Sequence, residues 1–234
     1  MGKLFDRLME DNRMQAGFHS CINCGTCTAI CPAAEFYKYN PQTIVSTVQT
    51  RNDDEIEKLL KGNQIWYCGS CMSCLQRCPR KNAPGLIVMA LRKLSVDTGF
   101  FVCSEKGRQE YALMKILCNN ILEFGYCIYP ETFKYEDHPE YGPVGQWVLN
   151  NADDVYERVG APYKKDTVGA LRKIPKESID DLKKIFDISG ATAQMKQVKD
   201  RSMEQAKKMG MSEEEYFDMC FRYSSDIHFN NKDD

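Results

Sequence analysis

Eight of the twelve cysteines fall in two copies of one phrase, Cys21-x2-Cys24-x2-Cys27-x3-Cys31-Pro32 and Cys68-x2-Cys71-x2-Cys74-x3-Cys78-Pro79, with 36 residues between Cys31 and Cys68. Thiolates at this spacing hold [4Fe–4S] cubanes, three from a local wrap and the fourth from the other run. Two intervening residues let the backbone curl around one corner of a cube, so that successive thiolates meet neighbouring irons while turn N–H groups face the sulfurs. Cys21, Cys24, Cys27 and Cys78 are therefore expected on one cluster, and Cys68, Cys71, Cys74 and Cys31 on the other. Gly25 and Gly69 are expected to allow the close approach, and Pro32 and Pro79 to end each wrap. Crossed ligation would couple folding to metal loading, because neither run is complete alone.

Structural zinc is the competing reading of paired Cys-x2-Cys elements. It explains the runs less well, since one zinc needs two such pairs, whereas each run here has three cysteines at x2 spacing and then Cys-Pro. A disulfide framework fits least, because cysteines this close in a chain without an export signal are metal ligands more often than bridges.

The elements that must position these runs read as helices. Leu4, Phe5, Leu8 and Met9 recur at helical spacing within 3–16. Between the runs, Asn40-Pro41 reads as N-cap and N1 of a helix carrying Ile44, Val45 and Val48. Asn52 or Asp53 can cap a second one with Ile56, Leu59 and Leu60, stopped by Gly62. Pro84-Gly85 opens an apolar stripe expected to pack back on the cysteine loops, closing a first unit over residues 1–100. A helix over 107–124 follows, with Tyr111, Met114, Leu117, Cys118, Ile121 and Leu122 on its buried side. Residues 126–145 mix aromatics with Pro and Gly at no clear period, as in a long ordered loop that either docks a partner or packs internally. Further helices are expected over 145–159, 176–188 and 191–209, ending at Gly160, Gly190 and Gly210. Ser212-x-x-Glu215 is a capping box for a last one through Met219 and Phe221, and the tail 230–234 should fray. No strand pattern occurs, so the expected class is all-α, with 101–234 as a helical C-terminal extension.

Composition narrows the chemistry. Length 234 and 43% hydrophobic residues suffice for a core, and a net charge of −2 without long runs of either sign gives no argument for nucleic acid or an anionic membrane. No window approaches the roughly 18 apolar residues of a membrane span, and the charged N-terminus lacks a secretory stretch, which points to the cytoplasm. Gly-x-Gly-x-x-Gly is absent, so a dinucleotide site is not expected here. Cys103, Cys118, Cys127 and Cys220 are separated by 14, 8 and 92 intervening residues and read as buried structural cysteines. His19 could tune a cluster or couple protons, or simply sit in a solvated loop, and His138 and His228 have no role. Arg77, Arg80 and Lys81 could raise a cluster potential, dock an acidic partner or be solvated charge. Met195, Met203 and Met209 suit either a partner face or a core.

With helices around and between its runs, the segment 18–96 resembles the α-helical ferredoxin domain of succinate dehydrogenase iron–sulfur subunits and of heterodisulfide reductase C subunits. It is most similar to the latter, through residues 21–32, Tyr39-Asn40-Pro41, residues 65–80 and Ile87-Val-Met-Ala-Leu-Arg92. Succinate dehydrogenase relatives would add a [2Fe–2S] domain ahead of the first run, where this sequence has 20 residues. The resemblance implies a subunit with two [4Fe–4S] clusters that relays single electrons between a flavin and iron–sulfur subunit and a cysteine-rich catalytic subunit. That partner would act on disulfide or sulfane-sulfur substrates, as in bacterial heterodisulfide-reductase-like sulfur-oxidising complexes. The chain would then be the non-catalytic electron-transfer subunit of an oxidoreductase, with no active site of its own. The alternative in the same class is the iron–sulfur subunit of a flavin-dependent hydroxy-acid or glycerol-phosphate dehydrogenase, and the alternative outside it is a zinc interaction module.

Overall fold

The computed structural model describes residues 3–134 and 141–222, and no strand occurs among them. The fold is all-α. In order the helices are α1 (Lys3–Met9), α2 (Asn12–Gly17), α3 (Thr26–Ala29), α4 (Pro32–Phe36), α5 (Pro41–Gln49), α6 (Asp53–Lys61), α7 (Ser73–Arg77) and α8 (Pro84–Thr98). They continue with α9 (Glu105–Leu113), α10 (Asn119–Phe124), α11 (Gly142–Asn150), α12 (Ala152–Arg158), α13 (Lys176–Ile188), α14 (Ala191–Lys208) and α15 (Glu213–Arg222). His138, His228 and the 230–234 tail lie outside the described residues.

Among the described residues, those up to Glu110 together with 197–222 form one compact unit, and those of Tyr111–Lys196 form another. From Gln197 the chain returns to its first unit. The return is made by Gln197, whose side-chain amide donates to the carbonyls of Val96 and Asp97, both at 3.0 Å.

The first unit's core is built by α5, α6 and α8. Ile44, Val48, Ile56, Leu60, Ile65, Ile87, Val88 and Leu91 are all 0% exposed, and Phe5, Leu8 and Met14 join them from α1 and α2. The caps are local and read as expected. Asn40 Oδ1 accepts from Thr43 N with Pro41 at the first position of α5. Asn52, rather than Asp53, caps α6 through Asp54 N and Glu55 N. Asp53 serves a distant end, its carboxylate accepting from Leu4 N and Phe5 N at 3.1 Å each. The single helix expected over 3–16 breaks before Asp11, which caps α2 through Arg13 N. In the same unit the capping box forms as read, Ser212 N donating to Glu215 Oε2 and Glu215 N to Ser212 Oγ.

The second unit packs on aromatics. Phe124 stacks on Tyr129 at 4.1 Å, Tyr129 meets Tyr163 edge-on at 5.6 Å, and the Tyr129 hydroxyl donates to the Tyr163 carbonyl. Tyr129 and Pro130 are thus used internally, while Ile128 of the same strip is exposed. The helix expected over 107–124 is interrupted by a π-helical turn at Met114–Cys118. Of the positions expected to be buried on it only Tyr111 is, and Met114, Leu117, Cys118, Ile121 and Leu122 are half-buried.

Candidate iron–sulfur centres

The two cysteine runs share one backbone course. The residue before the second cysteine is left-handed in both, Asn23 at φ 57° and Ser70 at φ 52°. So is the residue before the short helix that carries the third cysteine: Gly25 at φ 74° ahead of α3 and Met72 at φ 58° ahead of α7. Each reversal turns the chain tightly enough to bring three thiols to one side. Gly25 therefore meets a backbone need, and a side chain at Gly25 or Gly69 would touch no protein atom within 4 Å. Close approach belongs instead to Gly85, where a Cβ would lie 2.9 Å from Met72 Sδ and 3.8 Å from Cys74 Sγ. The prolines differ in role: Pro32 begins α4 behind Cys31, whereas Pro79 leads into a turn through left-handed Lys81.

Two hollows open beside α3 and α7. The first is lined by Cys21, Cys24, Cys27 and Cys78, with Gln42, Arg80 and Asn82. The second is lined by Cys31, Cys68, Cys71 and Cys74, with Phe36, Tyr39 and Tyr67. All twelve cysteines are free thiols. No group of three or more His, Cys, Asp or Glu side chains among the described residues converges on a point that would hold a single metal ion. Thiols that surround a volume fit a cubane, in which each binds a different iron, better than a tetrahedral ion.

Donors and charge favour anionic sulfur there. Asn23 N donates to Cys21 Sγ at 3.4 Å, and Asn82 N to Cys78 Sγ at 3.3 Å. The Thr26 hydroxyl pairs with Cys24 at 3.4 Å and lowers its thiol pKa, and the Ser73 hydroxyl does the same for Cys71. Burial raises Cys27 and Cys74. Metal bonding would remove both protons and so offset that desolvation.

Sequence reading missed Arg92, Tyr39 and Asn82. Arg92 on α8 donates to the carbonyls of Ile65, Trp66 and Cys68 at 2.7, 2.9 and 2.6 Å, and its guanidinium lies 5.6 Å from the Trp66 ring centre. Tyr39 is 4% exposed beside Cys31 and Cys68, and burial pushes its phenol far up. Asn82 is 2% exposed, with an amide nitrogen that has no acceptor among the described residues. Such an orphan costs about 1–3 kcal/mol. Only Arg92 and Tyr39 lie within the motifs that carry the family resemblance, and neither type is marked there by spacing.

The other candidates scatter. His19 is exposed, and its backbone N–H donates to Asn82 Oδ1. Arg77, Arg80 and Lys81 are exposed, Arg80 at the first hollow. The four remaining cysteines were expected to be buried; only Cys220 is, with its thiol pushed up to about 11, while Cys118 is half-buried and Cys103 and Cys127 are exposed. An apolar small side chain need not be covered where a helix end leaves it on the surface. Met195 and Met203 are half-buried and Met209 is exposed.

Residues 17–82 match the 4Fe-4S dicluster domain family, and the chain carries two [4Fe–4S] clusters. Over 86 residues it is 45% identical to the C subunit of the ferredoxin:CoB-CoM heterodisulfide reductase of Methanosarcina acetivorans, covering 37% of this chain and 33% of that one. It is 31% identical over 94 residues to an iron–sulfur C subunit of the CoB–CoM heterodisulfide reductase of Methanocaldococcus jannaschii, covering 40% of this chain and 48% of that one. Similarity to a protein of Archaeoglobus profundus named as like the heterodisulfide reductase C subunit is 28% over 114 residues, 47% of this chain and 52% of the relative. The dicluster region is similar to heterodisulfide reductase C subunits. The chain spans about a third to a half of the length of these curated relatives. No helix among the described residues is long and apolar enough to cross a membrane.

Proposed function

We propose that this chain is the electron-transfer iron–sulfur subunit of a heterodisulfide reductase or heterodisulfide-reductase-like complex. It relays single electrons between a flavin and iron–sulfur subunit and a cysteine-rich catalytic subunit that acts on disulfide or sulfane-sulfur substrates. The chain itself is non-catalytic and works in the reducing cytoplasm, where its thiols stay available to metal. The observation that carries this reading is the division of eight thiols into two sets of four around two hollows.

Cys21, Cys24, Cys27 and Cys78 hold one cluster, and Cys31, Cys68, Cys71 and Cys74 the other. Bound, the clusters supply one-electron chemistry. The protein's own part is to fix the thiolates through the left-handed turns, to aim N–H donors at sulfur, and to hold both sites on the short helices α3 and α7, which pack against each other. Packed so, the two sites lie on one short course for an electron.

Isolation of the native assembly without air tests the proposal. Roughly eight irons and eight sulfides per chain are expected, with paramagnetic signals on reduction and a flavoprotein plus a cysteine-rich subunit as companions. Zinc in place of iron would sink the cluster reading. A companion flavoprotein that oxidises a hydroxy acid or glycerol phosphate would overturn the sulfur assignment alone.

A further inference from the structure

Asn82 lines the first hollow with Cys21, Cys24, Cys27 and Cys78. It is 2% exposed. Its Oδ1 accepts the His19 backbone N–H at 2.7 Å, and its own backbone N–H donates to Cys78 Sγ. Because the His19 group is a donor, the atom facing it must be the amide oxygen, which settles the orientation of the side chain and turns the NH2 away. That nitrogen carries two N–H groups, and neither has an acceptor among the described residues. Buried donors are almost always paired, so an orphan on the wall of a thiol-lined hollow calls for an acceptor inside it. The acceptor chemistry available there is sulfur.

We infer that the Asn82 side-chain amide donates an N–H···S hydrogen bond to the iron–sulfur group held by Cys21, Cys24, Cys27 and Cys78, and so raises its reduction potential. The inference rests on the cluster reading proposed above. An added electron makes the sulfurs more negative, so a fixed donor in a low-dielectric site stabilises the reduced form more than the oxidised one. The second hollow offers the hydroxyls of Tyr39, Tyr67 and Ser73 but no side-chain amide. The two sites are therefore unequal although their cysteine spacing is the same. Asn82 acts on the group directly, as a hydrogen-bond donor beside its four thiol ligands.

The test uses the full chain purified without air from cells supplied with asparagine labelled with 15N in the side-chain amide. Pulsed paramagnetic resonance of the reduced protein should show a 15N coupling at one of the two clusters. The label also marks Asn23, whose side chain lies near Cys21, so the coupling is compared with Asn82→Asp, which keeps an oxygen for His19 and loses the donor. The coupling should vanish in that variant. Asn82→Leu removes the donor without adding charge, and its redox titration should show one midpoint lowered and the other unmoved. If roughly eight irons are present while the coupling survives in Asn82→Asp, or both midpoints stay put in Asn82→Leu, the inference is wrong and the cluster reading stands. If the variants lose the cluster, the native protein decides: its 15N coupling upholds the donor, and the lack of any overturns it. A native preparation without iron–sulfur signals defeats the cluster reading itself.

Discussion

Around the first cysteine run, side-chain oxygens take up backbone N–H groups: Gln49 Oε1 accepts from Cys21 at 2.6 Å and Asn82 Oδ1 from His19 at 2.7 Å. Around the second, one guanidinium takes up carbonyls, with Arg92 spanning Ile65, Trp66 and Cys68. The first hollow has amides on its wall and the second has the rings of Phe36, Tyr39 and Tyr67, with Tyr39 edge-on to Tyr67 and Tyr37, outside the lining, stacked on Tyr67 at 4.4 Å. Identical spacing thus repeats the backbone course of the two runs, while long-range partners make each site its own. The difference teaches that ligand count and site character are written in different parts of the chain.

The strongest test of that comparison exchanges the outlying cysteines. Cys31→Ser should damage the cluster whose other ligands are Cys68, Cys71 and Cys74, and Cys78→Ser the one on Cys21, Cys24 and Cys27. Each variant should lose roughly half the iron, and the surviving reduced-state signal should differ between them. If each variant instead loses the cluster of its own run, the crossed assignment is wrong.

Next in size is Arg92→Met. It leaves three carbonyls without their charged donor and should cost about 3 kcal/mol of unfolding free energy. Iron should be lost first from the second hollow. Chemical denaturation together with iron analysis reads both effects, and equal loss from the two hollows would erase the distinction between them.

A smaller effect separates Gly25 from Met72, which hold the same left-handed position in the two runs. Gly25→Ala should cost about 1 kcal/mol, because a Cβ is strained at that φ. Met72 already bears such strain, so Met72→Gly should change stability by under about 1 kcal/mol, the relief being offset by lost packing on Gly85 and added chain entropy. Thermal unfolding under anaerobic conditions measures the pair, and equal costs would show that the runs do not differ in backbone strain.

What could be read from the sequence divides the same way. Asn40-Pro41, Asn52 and Ser212-x-x-Glu215 were legible because a cap is completed within three residues. The two cysteine runs were legible as a dicluster motif because each run is local. The choice between Asn52 and Asp53 as the cap was left open, since nothing near Asp53 reveals that it serves the backbone of Leu4 and Phe5, 49 and 48 residues away. Arg92 and Asn82 escaped for the same reason, reaching across 24 to 27 and 63 residues to their partners. Burial of Cys103 and Cys127 was wrongly expected from residue type alone. The return of the chain to its first unit at Gln197 had no local signal at all.

The finest test of the comparison is Tyr39→Phe. Tyr39 lines the second hollow and is nearly sealed from water. Burial raises its phenol pKa first of all, and the neighbouring Cys68 and Cys31 thiols push the same way, so the hydroxyl keeps its proton and stays available as a donor. Phenylalanine keeps the ring that meets Tyr67 edge-on and removes only the hydroxyl. A neutral hydrogen bond contributes about 1 kcal/mol net, so stability should fall by no more than that and iron content should hold. If the hydroxyl serves the second site as the amide of Asn82 serves the first, redox titration should lower the midpoint of the second cluster alone. A shift at the first cluster would mean that the two sites share their donors and that the asymmetry between them is smaller than their surroundings suggest.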